Sequence, residues 1–177
     1  MNKRGIFVEN PSYSEGKRVK ILIVSDTHGR NGGYLELLEQ SEKMDMVIHC
    51  GDVEGSEYLI SEAAGCKTVI VQGNNDFFSD LPREAVVKLG KYKALVTHGH
   101  PYYVNMGYEH LVREAKKRKM DMVIYGHTHR PVIARENGIL VLNPGSLTYP
   151  RQEGRRYTYI IMEIDENGEV ECTLHHL

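Results

Sequence analysis

The sequence predicts an α/β fold in which two mixed β-sheets form a sandwich with helices outside it. From residue 19 to residue 76, short β-branched apolar segments alternate with helical segments. This βαβαβ alternation implies parallel strands joined by right-handed crossovers. Beyond residue 76 the alternation gives way to hairpin signals, which require antiparallel pairing. Together these two patterns indicate a four-layered α/β/β/α sandwich.

The predicted elements can be placed in chain order. In the first part we expect strands at residues 19–24, 46–50 and 68–71, separated by helices at about residues 34–44 and 57–64. In the second part a hairpin at residues 85–89 and 92–96 turns at Gly90-Lys91, and a helix at about residues 108–119 precedes a strand at 122–125. Two more hairpins follow, at residues 131–135 and 139–142 around Asn137-Gly138, and at 157–164 and 169–174 around Asn167-Gly168. Asn-Gly pairs suit the positive φ of tight turns.

Length and composition indicate one globular domain. The 177 residues are 41% hydrophobic and 26% charged, which is typical of a chain that folds around its own core. Residues 19–177 form the predicted domain. Residues 1–18 are polar and without periodicity, and we interpret them as an N-terminal extension that is either flexible or an added edge strand.

Charge and cysteine content exclude several classes of function. The net charge of −2 provides no overall positive field for a phosphate backbone, so nucleic-acid binding is not expected. The longest apolar runs are about six residues, whereas a membrane span needs roughly 18. Three cysteines without CxxC spacing favour a reducing compartment, and we expect a cytoplasmic protein.

Five clusters of metal-capable residues each follow a short apolar run. They are Asp26-Thr27-His28, Gly51-Asp52, Gly73-Asn74-Asn75-Asp76, His98-Gly99-His100 and Gly126-His127-Thr128-His129. In open α/β sheets, ligands bind beyond the carboxyl ends of the strands, where loops distant in sequence converge. We therefore expect one shared site. Each cluster alone could be an ordinary turn or helix cap, but five in succession favour the shared site.

The seven candidate ligands outnumber what one four-coordinate ion requires. They are Asp26, His28, Asp52, Asn74, His98, His127 and His129. Carboxylates with imidazoles suit Mn²⁺, Fe or Zn²⁺. Two ions about 3.5–4 Å apart and sharing a carboxylate would use all seven, and Asp52 is our candidate for the bridge. Water between two such cations loses a proton near neutral pH and gives a hydroxide suited to in-line attack on phosphorus.

The order Asp-x-His, Gly-Asp, Gly-Asn-x-Asp, His-Gly-His, Gly-His-Thr-His resembles the calcineurin-like metallophosphoesterase superfamily over about residues 19–174. It is most similar to the small single-domain prokaryotic phosphodiesterase branch, which is related to a eukaryotic retromer subunit with the same scaffold. The resemblance implies that Asp26, His28, Asp52 and His129 hold one ion, and that Asp52, Asn74, His98 and His127 hold the other. Asp76 would orient a neighbouring ligand or catalytic group.

One position departs from the family pattern. Many superfamily members carry a histidine directly after the metal-binding asparagine, where it protonates the leaving group, and this chain has Asn75. An amide donates a hydrogen bond but cannot act as a general acid near pH 7. We therefore expect diesters with activated leaving groups to be preferred over monoesters. His100 is a further candidate for phosphate contact or proton supply and Arg30 for charge neutralisation, with a structural hydrogen bond and a solvated side chain as the respective alternatives.

These observations predict a dinuclear metal-dependent phosphodiesterase acting on a small phosphodiester. We expect two divalent ions, with Mn²⁺ first and Ni²⁺, Zn²⁺, Fe or Mg²⁺ as other candidates. One alternative is a non-catalytic protein-binding scaffold with a structural metal site, and a second is a nuclease. A homo-oligomer is compatible with the sequence, and no membrane partner is expected.

Overall fold

The computed structural model of the protein describes residues 5–9 and 17–177, and these residues form eleven strands and three α-helices. The strands are β1 (Ile6–Glu9), β2 (Val19–Val24), β3 (Met46–His49), β4 (Lys67–Ile70), β5 (Glu84–Leu89), β6 (Tyr92–Thr97), β7 (Met122–Tyr125), β8 (Val132–Glu136), β9 (Ile139–Asn143), β10 (Thr158–Ile164) and β11 (Val170–His176). The helices are α1 (Gly32–Gln40), α2 (Glu57–Ala64) and α3 (Glu109–Lys117), and two short 3₁₀ turns lie at His100–Tyr102 and Val104–Met106.

The strands form two mixed sheets, as predicted. The five-stranded sheet has the order β11-β10-β2-β3-β4, with β2, β3 and β4 parallel and β10 antiparallel to both of its neighbours. The six-stranded sheet has the order β1-β5-β6-β7-β9-β8, with β6, β7 and β9 parallel and hairpins at β5-β6 and β8-β9. The parallel strands of both sheets carry the predicted site loops at their carboxyl ends.

Three apolar layers hold the sandwich together. The central layer lies between the sheets and takes alternate side chains of each strand, such as Ile21 and Ile23 of β2. The opposite faces of the sheets pack against helices: Leu22 and Val24 contact the layer under α1 and α2, and a third layer lies under α3. This alternation explains why the strands are apolar on both faces. The predicted α/β/β/α order is confirmed.

The two Asn-Gly hairpin turns have different backbone conformations. Asn137 and Gly138 both have positive φ, 53° and 84°, as the sequence predicted. At the other pair only Gly168 has positive φ, so the expectation for Asn167 was wrong. The side chain of Asp165 accepts hydrogen bonds from the backbone N–H groups of Asn167 and Glu169 at 2.9 and 2.8 Å, and this side-chain bonding gives a longer turn.

Part of the N-terminal extension lies at a sheet edge. Strand β1 pairs in parallel with β5, with Ile6 opposite Ala85 and Glu9 opposite Lys88. Residues 1–4 and 10–16, on which the rest of that interpretation falls, lie outside the described residues. In the described residues no helix combines the length and apolarity that crossing a bilayer requires.

Candidate metal centre

The seven candidate ligands stand directly after five strand ends, three in one sheet and two in the other. Asp26 and His28 follow β2, Asp52 follows β3, Asn74 follows β4, His98 follows β6, and His127 and His129 follow β7. The loops of the two sheets meet at one end of the sandwich. Hydrogen bonds from Asp26 N–H to Gly51 O and from Gly126 N–H to His98 O, both 3.1 Å, tie neighbouring loops together.

The first half of the cluster joins loops more than a hundred residues apart. His129 Nε2 lies 3.2 Å from Asp26 Oδ1 and 3.3 Å from His28 Nε2. His28 Nε2 in turn lies 3.8 Å from Asp52 Oδ2. These four side chains therefore face one small volume.

The second half is built around His98. Its Nε2 atom lies 3.5 Å from Asp52 Oδ2, 3.0 Å from Asn74 Oδ1 and 3.3 Å from His127 Nδ1. Asp52 Oδ2 thus lies between the two halves. All seven predicted side chains form one continuous cluster.

Two compact groups of three ligand atoms occur in this cluster, each with its atoms within 4.8 Å of one another. One group is Asp26, His28 and His129, and the other is Asp26, Asp52 and His98. Asp26 is the carboxylate common to these groups, whereas the sequence argument gave the shared role to Asp52. The identity of a bridging carboxylate therefore stays a prediction.

The histidines direct ring nitrogens to the centre of the cluster. In three of them Nδ1 donates to an oxygen outside the cluster: His98 to the Cys50 carbonyl at 2.7 Å, His129 to the Tyr149 carbonyl at 2.6 Å, and His28 to the Glu54 carboxylate at 2.7 Å. Because a carbonyl can only accept, Nδ1 carries the proton in the neutral ring and Nε2 keeps its lone pair. Metal-ligating histidines characteristically donate their outer N–H in this way.

The surroundings of Asp26 indicate whether a cation fits among these atoms. Its side chain is fully buried, Oδ2 accepts the backbone N–H of His127 at 3.0 Å, and Oδ1 has no hydrogen-bond partner among the described residues. Oδ1 instead faces the Nε2 lone pair of His129. With a neutral ring, two lone pairs at this distance repel each other unless a proton or a metal cation lies between them, and nitrogen with carboxylate oxygen is a donor set of first-row metals. The residues present therefore fit a divalent ion.

Electrostatics keep the cluster ready to bind cations. Burial alone would raise the pKa of Asp52, but hydrogen bonds from His98 and Asn75 outweigh it and hold that pKa well below its usual range. Burial likewise opposes ionisation of Asp26, yet its neighbours His129 and His98 lower its pKa. Burial and the adjacent charge of His98 lower the pKa of His127 to about 4. Both carboxylates are therefore anionic and His127 is neutral near pH 7.

The loop after β4 fixes the position of Asp52. Asn75 donates its backbone N–H to Asp52 Oδ1 at 2.8 Å and its side-chain amide to Oδ2 at 2.7 Å. The buried Asp76 carboxylate accepts three backbone N–H groups, from Asp52 at 2.9 Å and from Gly73 and Glu54 at 2.7 Å. A Cβ on residue 73 would lie 2.0 Å from Asp52 Oδ1, so only glycine allows this close approach.

Backbone strain is concentrated in the candidate ligands. Five of the seven have φ in the left-handed region, namely Asp26 (55°), His28 (47°), Asp52 (57°), His127 (68°) and His129 (56°). This conformation costs a non-glycine residue roughly 1–2 kcal/mol. Such strain persists where the surrounding structure over-determines the backbone, and it clusters at functional sites.

The two remaining predicted residues lie beside the cluster. The His100 ring centroid is 5.4 Å from that of His98 and 6.0 Å from that of His127, and partial burial lowers the pKa of His100. Its buried Nδ1 atom has no hydrogen-bond partner within residues 5–9 and 17–177. The Arg30 guanidinium stacks 5.0 Å from the ring centroid of Tyr149.

Several supporting residues were not anticipated. Glu54 and the carbonyl groups of Cys50 and Tyr149 orient candidate ligand histidines, and the Asn105 amide lies 2.8 Å from His127 Nε2. A backbone carbonyl occurs in every residue, so the contacts of Cys50 and Tyr149 have no sequence signal.

His49 is different because it is a polar residue inside a predicted buried strand, and this signal could have identified it. It is fully buried, donates Nε2–H to Thr27 Oγ1 at 3.1 Å and accepts the Gly51 N–H at 3.2 Å. Burial lowers the pKa of His49 to about 4, so the ring is neutral near pH 7. It braces the loops after β2 and β3.

Comparisons with known proteins agree with this geometry. Residues 19–167 match the calcineurin-like phosphoesterase superfamily domain. A phosphodiesterase of Methanocaldococcus jannaschii is 33% identical over 145 residues, covering 72% of this chain and 83% of the relative. The crystal structure of a predicted phosphoesterase of Streptococcus pneumoniae is 30% identical with a TM-score of 0.74, covering 91% of this chain and 99% of the other.

A vacuolar protein sorting protein, Vps29, also shares the fold. Vps29 of Entamoeba histolytica, crystallised with Zn²⁺, has a TM-score of 0.71 at 22% identity, covering 89% of this chain and 99% of the other. Because the identity is low, this similarity concerns the fold alone. The family match spans most of the chain and all seven candidate ligands, so the chain belongs to the calcineurin-like phosphoesterase superfamily.

Proposed function

We propose that the protein is a phosphodiesterase that works with two divalent metal ions, Mn²⁺ being the first choice. The observation that carries this proposal is the convergence of seven oxygen and nitrogen donors from five loops, with the Nε2 atoms of three histidines directed inward. A purely structural role for the cluster would not require so many donors or so much backbone strain.

The contacts support a division of the ligands into two sets. Asp26, His28, Asp52 and His129 would hold one ion, and Asp52, Asn74, His98 and His127 would hold the other. Asp52 Oδ2 lies 3.8 Å from His28 Nε2 and 3.5 Å from His98 Nε2, a position suited to the shared ligand. When bound, such ions acidify water for in-line attack on phosphorus and neutralise the phosphate oxygens.

The protein's own residues favour diesters over monoesters. Hydrolysis breaks the P–O bond to the leaving group and joins the water oxygen to phosphorus, giving a monoester and an alcohol or phenol. Asn75 cannot protonate a departing alkoxide because an amide is not an acid near pH 7. A phenolate with low basicity leaves without that help. Relatives named phosphodiesterases support the same class of substrate.

The cysteines support a reducing compartment. Cys50, Cys66 and Cys172 are all free thiols, and burial raises the pKa of each one. On this basis we propose that the protein acts in the cytoplasm.

The proposed function is tested with bis(p-nitrophenyl) phosphate and metal-depleted protein. We expect no turnover without metal, restoration by Mn²⁺ and loss on addition of EDTA, since the ions supply the nucleophile. Elemental analysis after reconstitution should find about two ions per chain. Bound metal without turnover would instead support the scaffold alternative, and degradation of labelled oligonucleotides at physiological salt would support the nuclease.

A second variant tests the positioning of Asp52. Asn75→Ala removes the 2.7 Å hydrogen bond to Asp52 Oδ2 but leaves the backbone N–H bond to Oδ1. We expect kcat for the aryl diester to fall by about tenfold, as one charge-assisted hydrogen bond is lost, while two ions still bind. We expect Asn75→Asp to lower kcat further, because a second carboxylate would face Asp52. Equal kcat values in all three proteins would contradict this role.

A further inference from the structure

A cavity beside the metal centre is lined by arginines. It has a volume of about 710 Å³, and the candidate ligands His28 and His129 form part of its wall. Arg130, Arg151 and Arg155 line much of the rest together with two tyrosines, and among the described residues no aspartate or glutamate does so. A group bound in this cavity would therefore touch the metal centre on one side and cationic side chains on the other.

These arginines have no acidic partner. In the part of the chain that the structure describes, none of Arg130, Arg151 and Arg155 has a carboxylate oxygen within 4.0 Å, whereas Arg118 pairs with both Glu84 and Glu114. The chain as a whole carries a net charge of −2. Three arginines that line one cavity away from any described carboxylate give that cavity a positive local field, which favours an anionic occupant.

The arginine-bearing loop is held against the ligand His129. Arg151 N–H donates to the carbonyl of His129 at 3.0 Å, and Arg130 Nε donates to the carbonyl of Arg151 at 3.3 Å. Arg155 N–H donates to Gln152 O at 3.1 Å and has a φ of 43°. These backbone bonds hold the loop in place, and the Arg130 guanidinium, bound at Nε, loses less entropy on binding. Arginine can donate two parallel hydrogen bonds to a phosphate.

Aromatic rings complete the cavity. Tyr149 and Tyr157 line it with 41% and 43% of their surfaces exposed, and Arg30 already stacks on the Tyr149 ring at 5.0 Å. Exposed tyrosine rings offer flat faces for a planar group such as a nucleobase. The lining thus combines recognition of an anion with recognition of a flat ring.

We infer that the cavity binds the organic arm of a phosphodiester that carries a second phosphate group, such as a nucleotide with a further phosphate. This inference rests on the proposed function, because the scissile diester must occupy the metal centre. The arginines bind the second phosphate and do not take part in the chemistry.

A matched pair of substrates tests the inference. Thymidine 5′-(p-nitrophenyl phosphate) is a diester without a second phosphate, and its 3′-phosphorylated analogue differs only by that group. Hydrolysis releases p-nitrophenol in both cases, leaving thymidine 5′-phosphate and thymidine 3′,5′-bisphosphate respectively. With Mn²⁺-loaded protein we expect kcat/KM to be at least about tenfold higher for the phosphorylated substrate, and this advantage to shrink in 0.5 M NaCl.

Three variants test whether the preference comes from the cavity. In the double variant Arg151→Ala, Arg155→Ala the ratio of the two kcat/KM values should fall to about one, and the corresponding double lysine variant should retain part of it. Arg113→Ala removes an exposed arginine of α3 and should keep the full ratio. Because each ratio is measured on a single protein preparation, partial unfolding of a variant cancels.

The outcomes separate this inference from the proposed function. Equal kcat/KM values for the two nucleotide substrates in the wild-type protein, or a preference that survives the double alanine variant, would overturn the arginine site alone. Absence of metal-dependent turnover with these substrates and with bis(p-nitrophenyl) phosphate would overturn the proposed function itself.

Discussion

Replacing Asp52 by asparagine is expected to lower kcat for bis(p-nitrophenyl) phosphate by at least about a thousandfold. The change keeps the size of the side chain but removes the negative charge that faces both His28 and His98. It also places an amide donor where Asn75 now donates, or turns that donor away from its partner. Loss of the proposed shared ligand would remove stabilisation of charge in the transition state, the largest contribution in this class of chemistry.

The measurement combines kinetics with metal analysis. We expect bound Mn²⁺ to fall from about two ions per chain to one or fewer, and added Mn²⁺ at high concentration to restore little activity. Glu166→Gln removes the same charge from an exposed turn and should behave as the wild type. An Asp52→Asn protein that keeps two ions and a rate within tenfold of wild type would rule out Asp52 as the shared ligand.

Local sequence patterns predicted most of the fold because each element buries a simple apolar face. The strands Val19–Val24 and Met122–Tyr125 and the helix Glu57–Ala64 have the predicted limits. Helix α1 ends at Gln40 instead of residue 44, because Ser41 at its C-cap is extended and the chain turns toward β3 there. Such an end depends on tertiary packing, which residue periodicity does not encode.

The candidate site was predictable at the level of side-chain chemistry and not at the level of orientation. The seven donors could be chosen because acids, amides and imidazoles recur after apolar runs. The sequence did not reveal that three of the histidines donate Nδ1–H to Cys50, Tyr149 and Glu54, because two of these acceptors are backbone carbonyls. The left-handed backbone of five ligands was equally hidden, since aspartate and histidine adopt it only when packing imposes it.

The same dependence on backbone groups means that loss of the Asp76 carboxylate should strongly reduce stability. Asp76→Ala leaves the N–H groups of Asp52 and Gly73 without an acceptor in a buried environment, whereas Glu54 is exposed and can bond to water. Each buried unsatisfied donor costs about 1–3 kcal/mol. We expect the free energy of unfolding, measured with urea in the presence of EDTA, to fall by about 3 kcal/mol.

Asp76→Asn distinguishes the loss of acceptors from the loss of charge. Its amide oxygen still accepts hydrogen bonds from one or two of the three N–H groups. We therefore expect its free energy of unfolding to lie between those of the alanine variant and the wild-type protein. EDTA removes metal from every protein compared. The differences in unfolding free energy therefore measure the stability of the loop and not a change in metal binding. If Asp76→Ala lowered the unfolding free energy by less than about 1 kcal/mol, the carboxylate would not be what holds Asp52 in its strained conformation, and the loop after β4 would have to be stabilised by other contacts.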